Sequence, residues 1–166
     1  ETNSVQRFLQ QGVQIGNFDE VNTSAESFVL WQWANDGGAG SVNGDGDTDI
    51  TLAVNSTAGF SYGSAVGPSS GGFTVGHGLG VAPKMYVVKR RDADDSWWTY
   101  NSALGSDDAY LSLHSNSVSS TSGGSGLWNS TAPTSSVFSI GTNGGVNASS
   151  GTYIAYCFAD VQGYSK

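Results

Sequence analysis

Apolar and polar residues alternate in short runs along this chain, and no stretch holds a 3.6-residue apolar period beyond about two turns. Leu111 and Leu113 lie between polar neighbours, as do Phe73 and Val75. Alternation of that kind belongs to half-buried antiparallel strands, whose side chains point to opposite faces in turn. The pattern predicts strands over 26–33, 48–54, 58–62, 72–76, 84–91, 97–101, 109–114, 135–140 and 152–158. The intervening segments are turn-forming, including NDGGAG at 35–40, VGPSSGG at 66–72 and STSGGSG at 120–126. The fold expected is all-β: an antiparallel β-sandwich, jelly-roll-like, with long Gly/Ser-rich loops.

Composition sharpens this reading. Gly supplies 24 of 166 residues, only 12% are charged, and helix formers are scarce. Five Trp and 11% aromatics are too many for a disordered chain of this polarity. The net charge of −8, with six basic residues, argues against nucleic acid or an anionic membrane surface as partner. Lys84, Lys89, Arg90 and Arg91 form the only basic cluster, and Asp92, Asp94 and Asp95 follow it at once, as at a solvated strand end. No apolar run is long enough for membrane insertion as a helix. Cys157 is the only cysteine, so no intrachain disulfide forms, and its strand position reads as a small buried hydrophobe.

One passage occurs twice. Residues 15–33, IGNFDEVNTSAESFVLWQW, and residues 140–158, IGTNGGVNASSGTYIAYCF, align without a gap at an offset of 125. Ile15, Gly16, Val21, Asn22 and Ser24 recur as Ile140, Gly141, Val146, Asn147 and Ser149. Phe28, Val29, Trp31 and Trp33 become Tyr153, Ile154, Tyr156 and Phe158. Self-similarity of this kind marks a repeat architecture. In both copies the Asn can cap a turn through its side chain, and the Gly suits a turn needing positive φ. The composition shift at 34–40 places a boundary there. Residues 1–36 then form the closing segment of a preceding repeat, or an N-terminal docking strand region, and residues 37–166 a β-sandwich repeat unit. Phe28, Leu30, Trp31 and Trp33 need a covering surface, supplied either by their own chain or by a neighbouring subunit through strand addition.

Residues 73–91, FTVGHGLGVAPKMYVVKRR, carry His77, Gly78, Leu79, Gly80 and Pro83 ahead of a hydrophobic strand ending in Lys/Arg. With Trp97–Tyr100, Leu104-Gly105, Trp128-Asn129, 133–141 and 146–158, this ordered set resembles a repeat of bacteriophage tail and appendage proteins. The resemblance runs from about residue 50 onward. It implies a β-rich virion module, often in tandem, on a virion surface or in another extracellular setting, and it brings no catalytic residues with it.

Three groups are candidates for chemistry. Asn43, Asp45, Asp47 and Asp49 place oxygen ligands at alternate positions of a Gly-containing loop, as a Ca²⁺ site requires. Thr48 and Val54 stand where the turn Gly and the bidentate Glu of a helical Ca²⁺ loop would be, so the favoured reading is an acidic turn leading into a strand, with a loop site completed by distant ligands as the alternative. Asp94 and Asp95 beside Trp97 and Trp98, with Trp128 in a second loop, supply the aromatic faces and carboxylates of a carbohydrate site. Adjacent Trp97 and Trp98 must point to opposite faces of a strand, so one of them belongs to the core. His77 and His114 are the only histidines, and no GxSxG, HExxH or Cys/His spacing is present. The expectation is therefore a non-enzymatic structural subunit of a tail or capsid fibre that self-associates into a homo-oligomer or fibre. A carbohydrate-binding adhesin recognising cell-surface glycan and a strand-exchanging extracellular filament subunit are the alternatives.

Overall fold

The computed structural model describes residues 4–33, 40–68 and 71–163. The chain divides into two compact units, Glu1–Trp33 and Ala34–Lys166. The boundary expected at 34–40 falls almost wholly outside the described residues.

The first unit holds strands β1 (Val5–Leu9) and β2 (Gly12–Ile15), paired antiparallel, and a single helical turn, α1 (Asp19–Asn22). None of its described residues is buried. The expected strand at 26–33 is not formed: nothing in this unit offers it a neighbouring strand, so its backbone joins no ladder.

The second unit is an all-β sandwich of unequal layers. Its strands are β3 (Ser41–Asn43), β4 (Ile50–Asn55), β5 (Phe60–Val66), β6 (Phe73–Gly76), β7 (Met85–Arg90), β8 (Trp97–Asn101), β9 (Leu111–Ser112), β10 (Val137–Ile140) and β11 (Thr152–Phe158). Two further α-helical turns, α2 (Ser125–Trp128) and α3 (Gly144–Asn147), and a 3-10 turn at Ser102–Leu104 lie between them. Seven strands form one antiparallel sheet in the order β3-β4-β5-β11-β7-β8-β9, and β10 pairs with β6 in a second. The last strand in the chain is thus the middle strand of the large sheet. It pairs with β5 from Thr152↔Val66 to Phe158↔Phe60 and with β7 from Tyr153↔Arg90 to Phe158↔Met85.

Alternation then assigns the faces. Ile50, Leu52, Tyr86, Val88, Tyr100, Tyr153, Ala155 and Cys157 point inward, where Phe73, Val75, Leu127, Trp128, Phe138, Ile140 and Val146 cover them. The centre is aromatic: Tyr86 lies 4.7 Å from both Tyr100 and Phe138 and meets Trp128 edge-on at 5.0 Å between ring centroids. Such pairs add about 0.5–1.5 kcal/mol each beyond burial of area. Burial pushes the Cys157 thiol up to about 12, which makes it an inert core residue.

The loop between β3 and β4 ties the two layers together. Asp47 accepts from the Thr74 N–H at 2.9 Å and its hydroxyl at 2.8 Å, while the Asp47 N–H donates to Thr74 Oγ1 at 3.0 Å. Thr48 forms a bridge with Val75 of β6. Asn43 lies so close to Gly76 that a Cβ there would sit 1.6 Å from its Oδ1. Gly76→Ala should therefore force Asn43 aside and destabilise the fold by about 1–3 kcal/mol in urea unfolding. Asn43→Ala in the same chain should recover part of the loss, and a neutral Gly76→Ala would refute this packing.

Candidate functional site

The sequence-derived candidates come apart in three dimensions. In the 43–49 loop, Asn43 Nδ2 donates to Asp45 Oδ2 at 2.8 Å and Asn43 Oδ1 accepts the Asp45 N–H at 3.1 Å, while Asp47 is turned onto Thr74. Those bonds hold the Asp47 carboxyl below the usual carboxylate range, led by the Thr74 hydroxyl. The four side chains do not converge as ligands, and no group of three His, Cys, Asp or Glu suited to a metal occurs among the described residues. Through Asp47 the loop latches the two layers together.

The aromatic candidates separate in the same way. Trp128, expected at a sugar-facing loop, is 0% exposed, because the 125–128 turn folds inward under β10 and against Tyr86 and Tyr100. Trp98 points to the inner side, packs edge-on against Tyr110 at 5.3 Å and donates Nε1–H to Asp95 Oδ1 at 3.0 Å. Asp95 is thereby committed to Trp98, and Asp94 is exposed. Trp97 is the member that faces outward, 38% exposed, with its ring 6.4 Å from Tyr156 at an angle of 18°. Tyr156 lies 6.4 Å from Tyr62, and Phe60 lies 5.1 Å from Phe158. The outer face of the large sheet thus carries an aromatic row that local sequence does not reveal, since its members come from β5, β8 and β11. Lys89 and Arg91 flank it, and Arg90 is paired with Asp92 at 3.0 Å.

His77 explains the HGLG segment. The ring is 0% exposed; Nε2–H donates to the Thr134 carbonyl at 3.2 Å, and Nδ1 accepts the Leu79 N–H at 3.2 Å. Gly78 and Gly80 adopt φ of +67° and +74°, which lets the chain curl around the ring. His77 is a neutral brace between the end of β6 and the segment before β10, with both nitrogens engaged.

The repeated passage is the strongest feature. In the sandwich, β10, α3 and β11 follow one another, and β2 and α1 fall at the equivalent positions 125 residues earlier. Asn147 Nδ2 donates to the Gly141 carbonyl at 2.9 Å, and Asn22 Nδ2 donates to the Gly16 carbonyl at 2.8 Å. The Val146 and Asn147 amides bond to Asn143 O, and those of Val21 and Asn22 bond to Phe18 O. Ser150 and Ala25, again equivalent, both adopt positive φ, at 58° and 67°, a conformation uncommon outside glycine. Positive φ was expected at Gly16 and Gly141 and falls instead on these two residues. Gly141 is required for close approach, since a Cβ there would sit 2.3 Å from Gly126 O. After this shared turn the copies diverge. Residues 152–158 form β11, whereas Phe28, Val29, Leu30 and Trp31 are 49%, 81%, 53% and 67% exposed.

The chain belongs to a family described as a domain of unknown function (DUF7483), whose model matches residues 1–166. No curated protein and no solved structure matches it. Among the described residues, no helix is long and apolar enough to cross a membrane.

Two outcomes follow from these placements. Trp128→Ala should cost about 3–5 kcal/mol in chemical unfolding, as expected of a buried aromatic and not of a surface ligand contact. For His77, burial lowers the folded pKa below 6.5, with the Thr134 bond and Asp45 opposing. Its contribution is complete above about pH 6.5 and falls as pH drops toward the folded value, because the unfolded chain then binds the extra proton. The urea midpoint should decline over that interval in the wild type and lose that component in His77→Gln; identical pH profiles would contradict the brace.

Proposed function

We propose that this chain, as a member of that family, is a non-catalytic structural subunit of a virion appendage, such as a tail or capsid fibre, which joins its neighbours through β-strand contacts. The observation that carries this reading is the exposed apolar run Phe28–Trp31, directly after a folded copy of the turn that leads into a central strand. An exposed apolar strand sequence of this kind is a template for pairing with another chain. The resemblance of 73–91 and 133–158 to phage appendage repeats supports the virion setting, at the particle surface. The brace at His77 and the latch at Asp47 use their polar groups for structure, which fits a scaffold.

A second reading, glycan recognition, has one observation in its favour: the outward row of Trp97, Tyr156 and Tyr62. Aromatic faces on an exposed sheet suit the apolar faces of sugar rings. On that reading Trp97 carries the contact, and Trp98 and Trp128 are structural.

Light scattering and electron microscopy of the wild-type chain should show concentration-dependent oligomers or fibres. Trp31→Asp, at an exposed position, should leave the melting temperature within a few degrees and shift the population to monomer. A wild-type chain that stays monomeric at all concentrations would reject homo-oligomer assembly through this segment.

A further inference from the structure

We infer that residues 12–33 are the closing part of a second sandwich of this family, and that residues 27–33 enter its large sheet as the central strand, between the equivalents of β5 and β7. This rests on the reading of a module joined through strand contacts, and not on its homo-oligomer form: the contact is completion of a sheet interior, and a second copy of this chain, whose β11 fills that place, is not the acceptor.

The two copies share element boundaries and the backbone of the turn. Element boundaries coincide, β2 with β10 and α1 with α3. The bonds from Asn22 and Asn147 to the Gly16 and Gly141 carbonyls, the backbone bonds of the turn and the left-handed residue also coincide, while the side-chain cap of Asn143 on α3 has no equivalent at Phe18. The partners differ: β10 runs antiparallel to β6, distant in sequence, whereas β2 pairs with its hairpin neighbour β1, whose place at the offset of 125, residues 130–134, holds no strand in the sandwich. The first unit therefore holds the counterparts of β10 and of the turn into the central strand. It has no counterpart of β4, β5, β7 or β8 among its described residues. Such a fragment cannot bury its apolar faces alone, since a two-stranded ribbon needs further strands or a covering layer.

The residue pattern says how the strand would sit. At an offset of 125, Phe28, Leu30 and Gln32 take the inward positions of Tyr153, Ala155 and Cys157. Val29, Trp31 and Trp33 take the outward positions of Ile154, Tyr156 and Phe158. The outward set keeps its branched, aromatic, aromatic order, so Trp31 would join an aromatic row like the one Tyr156 makes with Tyr62 and Trp97. The inward set identifies the acceptor by exclusion. Ala155 and Cys157 are 7% and 2% exposed, and Ala155 has Gly63 and Val88 as its cross-strand neighbours. That slot is too tight for Leu30, and Gln32 would bury an amide there. Moreover, β11 already fills it. The acceptor is thus a different sandwich of the family, one with a roomier inner face and without a central strand of its own.

A tandem polypeptide tests this directly. A copy of residues 40–136 is joined to residue 12 of the chain, so that 12–33 stand where 137–158 would follow, and the rest of the chain continues to residue 166. In one version Leu30→Ala and Gln32→Cys match the copied slot; in a second, residues 27–33 are also scrambled. In a control, the copy keeps its own 137–158. Amide exchange should be about a hundredfold slower or more at residues 28–31 in the matched tandem than in the chain alone, because a central strand opens only with its sheet. The scrambled tandem should show no such slowing. If the control folds and residues 28–31 of the matched tandem exchange as fast as in the chain alone, the inference is overturned. Equal slowing in the scrambled tandem overturns it too. Assembly of the wild-type chain is read separately: oligomers without tandem protection sink only this inference, and tandem protection with a monomeric wild type sinks only self-assembly.

Discussion

A strand in the middle of a sheet has two hydrogen-bonding edges and two faces, and all four must be satisfied at once. In this fold β11 is that strand. It is paired with β5 on one edge and β7 on the other, and it carries Tyr153, Ala155 and Cys157 into the core and Ile154, Tyr156 and Phe158 to the outer face. The large sheet is one sheet because β11 arrives last in sequence and joins the strands on either side of it. The turn preceding it is correspondingly well fastened: Asn147, 5% exposed, donates to both Gly71 and Gly141 carbonyls, and the Tyr153 hydroxyl donates to Gly144 O. An unmade bond at such a buried group costs about 1–3 kcal/mol.

The same constraint gives the first unit its meaning. Its turn folds locally, because the Asn22 cap, the Phe18 carbonyl bonds and the left-handed Ala25 need only neighbours a few residues away. The strand that should follow needs partners distant in sequence. Local structure can therefore form in isolation while the strand stays exposed, and the apolar run becomes the place where another sheet is required. Unlike an edge strand, which accepts chance partners, a central-strand donor fits only a sheet with a matching gap and matching inner volume.

Much of the sandwich was legible in the sequence, since alternation is a local signal. The strands 97–101 and 152–158 lie where the pattern placed them, and the neighbouring strands differ by a few residues at their ends. Strands β1, β2 and β3 did not announce themselves: the apolar residues of VQRFL do not alternate, and GVQI and SVN are only four and three residues long. Trp128 was misplaced because SGLW sits among Ser and Gly; only the distant rings of Tyr86 and Tyr100 reveal that it faces inward. The latch in the acidic loop was hidden for the same reason. Its alternating carboxylates are visible locally, whereas the Thr74 groups that engage Asp47 are 27 residues away. The bond from His77 to the Leu79 amide lies within its own turn, but its second bond, to Thr134, spans 57 residues.

The central claim is that one turn motif occurs twice, once completed by its strand and once awaiting a sheet. Residue-resolved hydrogen exchange on the chain by itself addresses it most directly. The amides of Ile154 to Tyr156 should exchange only through global unfolding, those of Val21 and Asn22 should show measurable protection, and those of Val29 to Trp31 should exchange at nearly the rate of an unfolded peptide. Protection of Val29 to Trp31 equal to that of Ile154 to Tyr156 would mean the strand already has its sheet, and would contradict the account.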